Sequence, residues 1–157
     1  MDVFGVSDPY VILELLPLTL YSKRPKEDKT NTIKRTLNPE FNQLFQWYRL
    51  PLNIVHTPGA VLRLSVWNEG TVKKDNFIGE CFIPLTSIES LKNRASIRDV
   101  PVSEVLLRRQ NKNAQPRVFE LIRNRAKFDQ EAALFLEQRA YAMESRNEND
   151  VRNSSSS

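Results

Sequence analysis

The chain has one cysteine, one histidine and four glycines among its 157 residues. A lone cysteine, Cys81, cannot build an internal disulfide framework and fits a reducing compartment. So few glycines leave no glycine loop to cradle a phosphate. His56 lies in a turn between Val55 and Thr57 with no nucleophile motif near it. Cys81 falls within a strand pattern, where a buried structural thiol is the commoner state. No carboxylate pair stands at glycosidase or protease spacing, so catalysis is not expected. Long apolar runs are missing too: Val11–Leu20 is interrupted by Glu14 and Pro17 and falls well short of a membrane span. The start does not read as a secretory signal, since no basic stretch leads into an apolar one. These absences point to a cytoplasmic binding protein.

What is present is a basic body. The net charge is +4, and it is unevenly spread. Lys92–Lys127 holds ten Lys or Arg against Asp99, Glu104 and Glu120, whereas Asp129–Ser157 holds six acids against three Arg. Phospholipid headgroups, nucleic acid or an acidic protein would suit such a surface, and so would a plain solubility role. Arg108, Arg109, Lys112 and Arg117 form a basic connection, but aromatics are not interleaved with them as stacking platforms require. Nucleic acid is therefore not an expected partner.

Short apolar runs separated by turn signals fill the first two thirds. Val11, Leu13 and Leu15 alternate, as do Leu62, Leu64 and Val66, with Arg63 and Ser65 between them. Strands are also expected at Thr32–Thr36, Leu44–Tyr48 (with Phe45 and Trp47 on one face), Phe77–Ile83 and Val100–Val102. Asn38-Pro39, Thr57-Pro58-Gly59 and Ile83-Pro84 mark turns. Such spacing predicts an antiparallel sandwich. The last third changes period, with helices expected over Val118–Lys127 and Asp129–Ser145. Asp129 is placed to cap the second, and Ala132, Phe135, Leu136, Ala140 and Met143 are expected on its inner face. After Ser145 the polar composition predicts a disordered tail.

Three segments together resemble C2 domains: Asp2–Leu16 (DVFGVSDPYVILELL), Thr36–Phe45 (TLNPEFNQLF) and Val66–Phe82 (VWNEGTVKKDNFIGECF). A narrower resemblance covers almost the whole chain. Pro58–Leu62, Val100-Pro101-Val102 and the segment Val118–Ala140 are similar to the closing C2 domain of the unc-13 (Munc13) exocytosis proteins. The branch in question comprises the unc-13 homologue D and the brain-specific angiogenesis-inhibitor-associated protein. The resemblance implies a mainly β, antiparallel C2-type sandwich lacking its opening strand or strands, as part of a longer chain. Residues 1–106 would form the C2 domain, 107–145 a basic connection with C-terminal helices, and 146–157 the tail. It also implies vesicle tethering or priming, peripheral to a secretory vesicle, endosomal or plasma membrane, with SNARE or other exocytic proteins as candidate partners.

Carried over residue by residue, Asp2 and Asp8 match two first-loop calcium ligands, while Asn68, Gly70 and Asn76 stand at three third-loop aspartate positions. Calcium takes six to eight oxygen ligands, several of them carboxylates. Two carboxylates should weaken binding by orders of magnitude, so the expectation is calcium-independent action with no cofactor. Asp8 before Pro9 also suits a purely structural turn. Glu69 and Asp75 are adjacent acids that strand alternation would direct elsewhere. Val3, Phe4 and Val72, with Lys73 and Lys74, form a candidate membrane contact; Phe4 equally suits a cap on the end of the core. Lys23, Arg24, Lys26, Lys34 and Arg35 form a candidate site for anionic lipid or an acidic partner. In a regular strand Lys34 and Arg35 would point to opposite faces.

Overall fold

The structure is a computed structural model. It describes residues 6–16, 27–48, 50–51, 53–72, 74–88, 104–108 and 116–154. Among the described residues, four strands form one antiparallel sheet: β1 (Pro9–Leu16), β2 (Asp28–Lys29), β3 (Val61–Asn68) and β4 (Asn76–Pro84), in the order β2-β1-β3-β4. Two helices follow, α1 (Pro116–Ala126) and α2 (Gln130–Ser154). The sequence calls for this layout because β1 is an apolar run broken only by Glu14 and β3 alternates Leu62, Leu64 and Val66 with Arg63 and Ser65, whereas the helices carry apolar residues at three- and four-residue spacing.

Register decides which residues meet. Glu14 stands opposite Arg63, and Arg63 opposite Phe82; Leu16 stands opposite Val61, and Ser65 opposite Glu80. Side chains alternate across a sheet, so these residues share one face. The helices cover it. Val61 and Phe82 form a buried cluster with Val118, Phe119, Ile122 and Ala132. Phe82 meets Phe119 and Phe135 edge to face, with ring centroids 5.1 and 6.0 Å apart. Leu15, on the other face, joins Ile54, Ala60 and Leu85, against which Trp47 and Leu62 pack.

Gly59 lets α1 come close. Its φ is +83°, and a side chain there would meet the Leu121 carbonyl at 3.3 Å and the Arg125 side chain at 3.2 Å. The corner between the helices rests on Asp129, which is buried. Its Oδ1 accepts hydrogen bonds from the Glu131 and Ala132 amides at 3.1 and 3.3 Å, capping α2 as its position predicts. Its Oδ2 accepts a hydrogen bond from Arg125 Nε at 2.9 Å, tying the cap to the last turn of α1.

Glu80 is the most demanding group in this layer, only 2% exposed. Arg63 donates to its Oε2 at 3.0 Å and to Glu14 at 2.9 Å, and Arg139 of α2 pairs with its Oε1. The Arg139 guanidinium also lies 4.6 Å from the Phe119 ring centroid and 5.3 Å from that of Phe82.

Four expectations need correction. Thr32–Thr36 forms no regular strand: its bonds to the edge of β1 run Thr30 to Val11, Ile33 to Pro9 and Thr36 to Ser7, three residues against two at each step. Arg35, at φ +56°, breaks the extended run. Leu44–Tyr48 keeps its alternation, with Phe45 and Trp47 half-buried and Leu44 and Tyr48 exposed, but pairs in no ladder among the described residues. On α2 the inner face holds Arg139, and Ala140 points outward. The helix also runs to Ser154, through residues whose polarity predicts a disordered tail. Val100–Val102 lies outside the described residues.

Removing one member of a buried pair leaves the other charge uncompensated, which costs about 3–5 kcal/mol. Arg139→Ala is therefore expected to lower unfolding stability by that order in a urea titration. A loss within about 0.5 kcal/mol, the range of an ordinary surface change, would mean α2 is not docked as described.

Candidate functional site

The expected ligand positions converge at the end of the sheet where β1 begins, β3 ends and β4 begins. Asp8 sits just ahead of β1 and organises this end. Its amide donates to Asn68 Oδ1 at 2.7 Å, and its carbonyl accepts from the Glu69 amide at 2.9 Å. Its Oδ1 accepts from the Arg35 amide at 2.7 Å, which holds Arg35 in its left-handed conformation. Asp8 therefore shapes the turn, and it does so through a neighbouring segment as well as its own backbone.

Its second oxygen faces a cation supplied by the chain itself. Lys34 Nζ lies 3.5 Å from Asp8 Oδ2 and also pairs with Glu69 Oε2. Thr32 donates to the other Glu69 oxygen at 3.0 Å. The hydrogen bond from Lys34, followed by that from Thr32, holds the Glu69 carboxyl below its usual range, and the same bond raises the Lys34 amine. Glu69 was expected to point away. It turns inward because β3 ends at Asn68, so alternation no longer governs its direction.

Asp75 takes a different partner. The Tyr10 hydroxyl donates to Asp75 Oδ2 and the Gly70 amide to Oδ1, the latter at 2.9 Å, so the Asp75 carboxyl is held low, chiefly by Tyr10. Burial, then the bond to Asp75, pushes the Tyr10 phenol up to about 12. Lys29 Nζ lies 3.6 Å from the Tyr10 ring centroid. Tyr10 did not stand out in the sequence as a site residue, and Lys29 was legible only as part of the basic run that precedes Lys34 and Arg35.

Of the third-loop positions, Asn68 gives its side-chain oxygen to the Asp8 amide, Gly70 its amide to Asp75, and Asn76 opens β4 exposed. Among the described residues no group of three or more His, Cys, Asp or Glu is arranged to hold a metal ion. Val72 is 95% exposed at the tip of this loop, and Lys74 is exposed beside it. Arg35 is exposed as well. Asp2, Val3, Phe4, Lys23, Arg24, Lys26 and Lys73 lie outside the described residues. Cys81 is buried, and desolvation raises its thiol, as suits a structural residue. No described helix is long and apolar enough to cross a membrane.

The sequence profile of the C2 domain family matches residues 1–100. Among individual proteins, the chain is 30% identical to protein unc-13 homolog D of Homo sapiens over 90% of its own length and 13% of that protein's. It is 36% identical to rabphilin-1 of Caenorhabditis elegans over 62% of its length and 8% of that protein's. It is 42% identical to synaptotagmin-like protein 1 of Mus musculus over 50% and 12%. The chain thus spans a small part of each relative. The crystal structure of a RIM C2 domain from Drosophila superposes with a TM-score of 0.46 at 25% identity, covering 56% of this chain and 67% of that one.

Lys34→Met tests the electrostatics of the loop end. The Glu69 carboxyl should then titrate nearer its ordinary range, read by carbon NMR of the side chain. A depressed carboxyl pKa adds stability above the unfolded value and loses it as pH falls through the folded one. The wild type should therefore lose this small contribution on acidification below the ordinary glutamate range, and the variant, which keeps only the Thr32 bond, should lose less. An unchanged Glu69 titration in the variant would contradict the pairing.

Proposed function

This chain belongs to the C2 domain family, a family of non-catalytic binding modules, and on that premise we propose that it binds anionic phospholipid membranes largely without calcium. The observation that carries the reading is Lys34, whose ammonium pairs with the carboxylates of Asp8 and Glu69. In a site built for calcium, a cluster of bare carboxylates repels an anionic surface until the metal arrives. Here an amine of the chain does part of that neutralising, and Asn68, Gly70 and Asn76 bring no charge. The repulsion is reduced from the outset.

The contact itself would come from Val72 inserting at the loop tip, with Lys74 and Arg35 beside the headgroups. Val3, Phe4 and Lys73 would join the same tip, and Lys23, Arg24 and Lys26 the approach from the basic segment. A Lys or Arg near an anionic surface contributes about 1 kcal/mol, so a handful of cations suffices for reversible attachment. Lys34 contributes indirectly, because its charge is already engaged by two acids. The module would serve a longer exocytosis or membrane-trafficking protein, in the manner of vesicle priming. It would lie at the cytoplasmic face of a secretory vesicle, endosome or plasma membrane. The similarity to unc-13 homolog D across most of this chain supports that wider setting.

Liposome co-sedimentation tests the reading, with and without phosphoinositide, each in calcium and in chelator. Binding should require anionic lipid and be indifferent to calcium. Lys74→Ala should weaken it about fivefold, the equivalent of about 1 kcal/mol. Binding only with calcium would overturn the reading, and binding in no condition would assign the module to a protein partner.

A further inference from the structure

The turn between β3 and β4 carries the exposed Val72 and Lys74, and both of its legs are bonded to the rest of the domain. On the leg leaving β3, the Glu69 amide donates to the Asp8 carbonyl at 2.9 Å, and the Glu69 carboxylate meets Thr32 and Lys34. On the leg entering β4, Asp75 makes two bonds of different kinds. Its Oδ1 accepts from the Gly70 amide at 2.9 Å, which closes the neck of the turn. Its Oδ2 accepts from the Tyr10 hydroxyl, which ties that neck to β1.

Tyr10 is a firm anchor for the second bond. It is 4% exposed and stands on β1 opposite Trp67, with the Lys29 ammonium 3.6 Å from its ring centroid. Trp67 in turn meets Phe77 edge to face at 5.3 Å, one residue pair before β3 and β4 separate into the turn. The phenol is thus set in place by packing, and it passes that order to the carboxylate it holds. A loop tip that is loose in solution must be ordered when it enters an interface, and the entropy lost is subtracted from binding. A tip held in place beforehand avoids that loss.

We propose that Tyr10 and Asp75 clamp the β3–β4 turn in its membrane-binding form, which makes Tyr10 a positioning residue for Val72 and Lys74. This role rests on the proposed membrane contact and adds to it a buried residue that does not itself touch lipid. Charge alone predicts the opposite sign at Asp75. Deleting a carboxylate next to Lys74 raises attraction to an anionic surface, whereas losing the clamp lowers affinity. Asn and Ala both remove the charge at this position. Asn, however, keeps an oxygen for the Gly70 amide and offers an amide group to the Tyr10 oxygen.

Co-sedimentation of the full chain with mixed phosphatidylcholine and phosphatidylserine vesicles, in chelator, separates the two effects. Asp75→Ala is expected to bind about fivefold more weakly than Asp75→Asn, the factor that ~1 kcal/mol gives. Tyr10→Phe, which alters no charge, should bind about threefold more weakly than the wild type while keeping a cooperative melt. Hydrogen exchange should quicken at the Gly70 amide in Asp75→Ala and Tyr10→Phe, and stay unchanged along β3. Asp75→Ala binding as well as Asp75→Asn, Tyr10→Phe binding as well as the wild type, or unchanged exchange at Gly70 would overturn the clamp and leave the membrane contact standing. Failure of the wild type to bind any vesicle would overturn the membrane contact and, with it, the role assigned to Tyr10.

Discussion

A carboxylate buried under the helices on a sheet face forces the rest of the layer to answer it. Glu80 is 2% exposed, and an isolated charge there would be several kcal/mol unfavourable. Two guanidinium groups meet it from different parts of the chain: Arg63 from the neighbouring strand and Arg139 from α2, far along the sequence. The first fixes strand register, because only the observed pairing sets Ser65 opposite Glu80 with Arg63 beside it on the same face. The second makes α2 part of the domain, since its departure would strand the carboxylate. Phe82 and Phe119 flank Arg139 and add apolar contact to the ionic one. The Asp129 cap completes the arrangement by setting the angle at which α2 leaves α1.

The loop end uses the same solution in a milder form. Lys34 partly neutralises Asp8 and Glu69, but its side chain is 57% exposed, so the pairing is screened by water and adds little to stability. Its consequence is for the local field. A loop end that carries its own cation would present less negative charge to the anionic membrane of the proposed function, with Val72 and Lys74 exposed beside it.

Much of this was legible in the residues, and the failures have physical causes. Period-two spacing located β1 and β3, a short run ending at the Ile83-Pro84 turn located β4, and Asp129 was legible as a cap because a carboxylate before an amphipathic run has few other uses. The family match was carried by motifs at the strand ends, where turn geometry restricts residue choice. Arg139 was not legible: a basic residue in an amphipathic helix reads as solvent-facing until a buried acid on another element is known. Its inward turn rotates the helix so that Ala140 faces out. Thr32–Thr36 reads as a strand, yet Asp8 captures the Arg35 amide and turns the chain. Glu69 was misdirected by extending alternation one residue past the end of β3. Pairings between distant segments decided each of these, and a single sequence does not display them.

The central proposal is that the protein's own amine, and not a metal, offsets charge on the carboxylates of the loop end. Thermal unfolding of the full chain in millimolar calcium and in chelator tests it most directly. Any ligand that binds the native state alone raises its stability, by about 2.7 kcal/mol at a hundredfold excess over Kd. Superimposable unfolding curves in the two conditions are expected. A melting temperature that climbs with calcium concentration would contradict the claim, because it would mean that a metal displaces Lys34 or binds beside it.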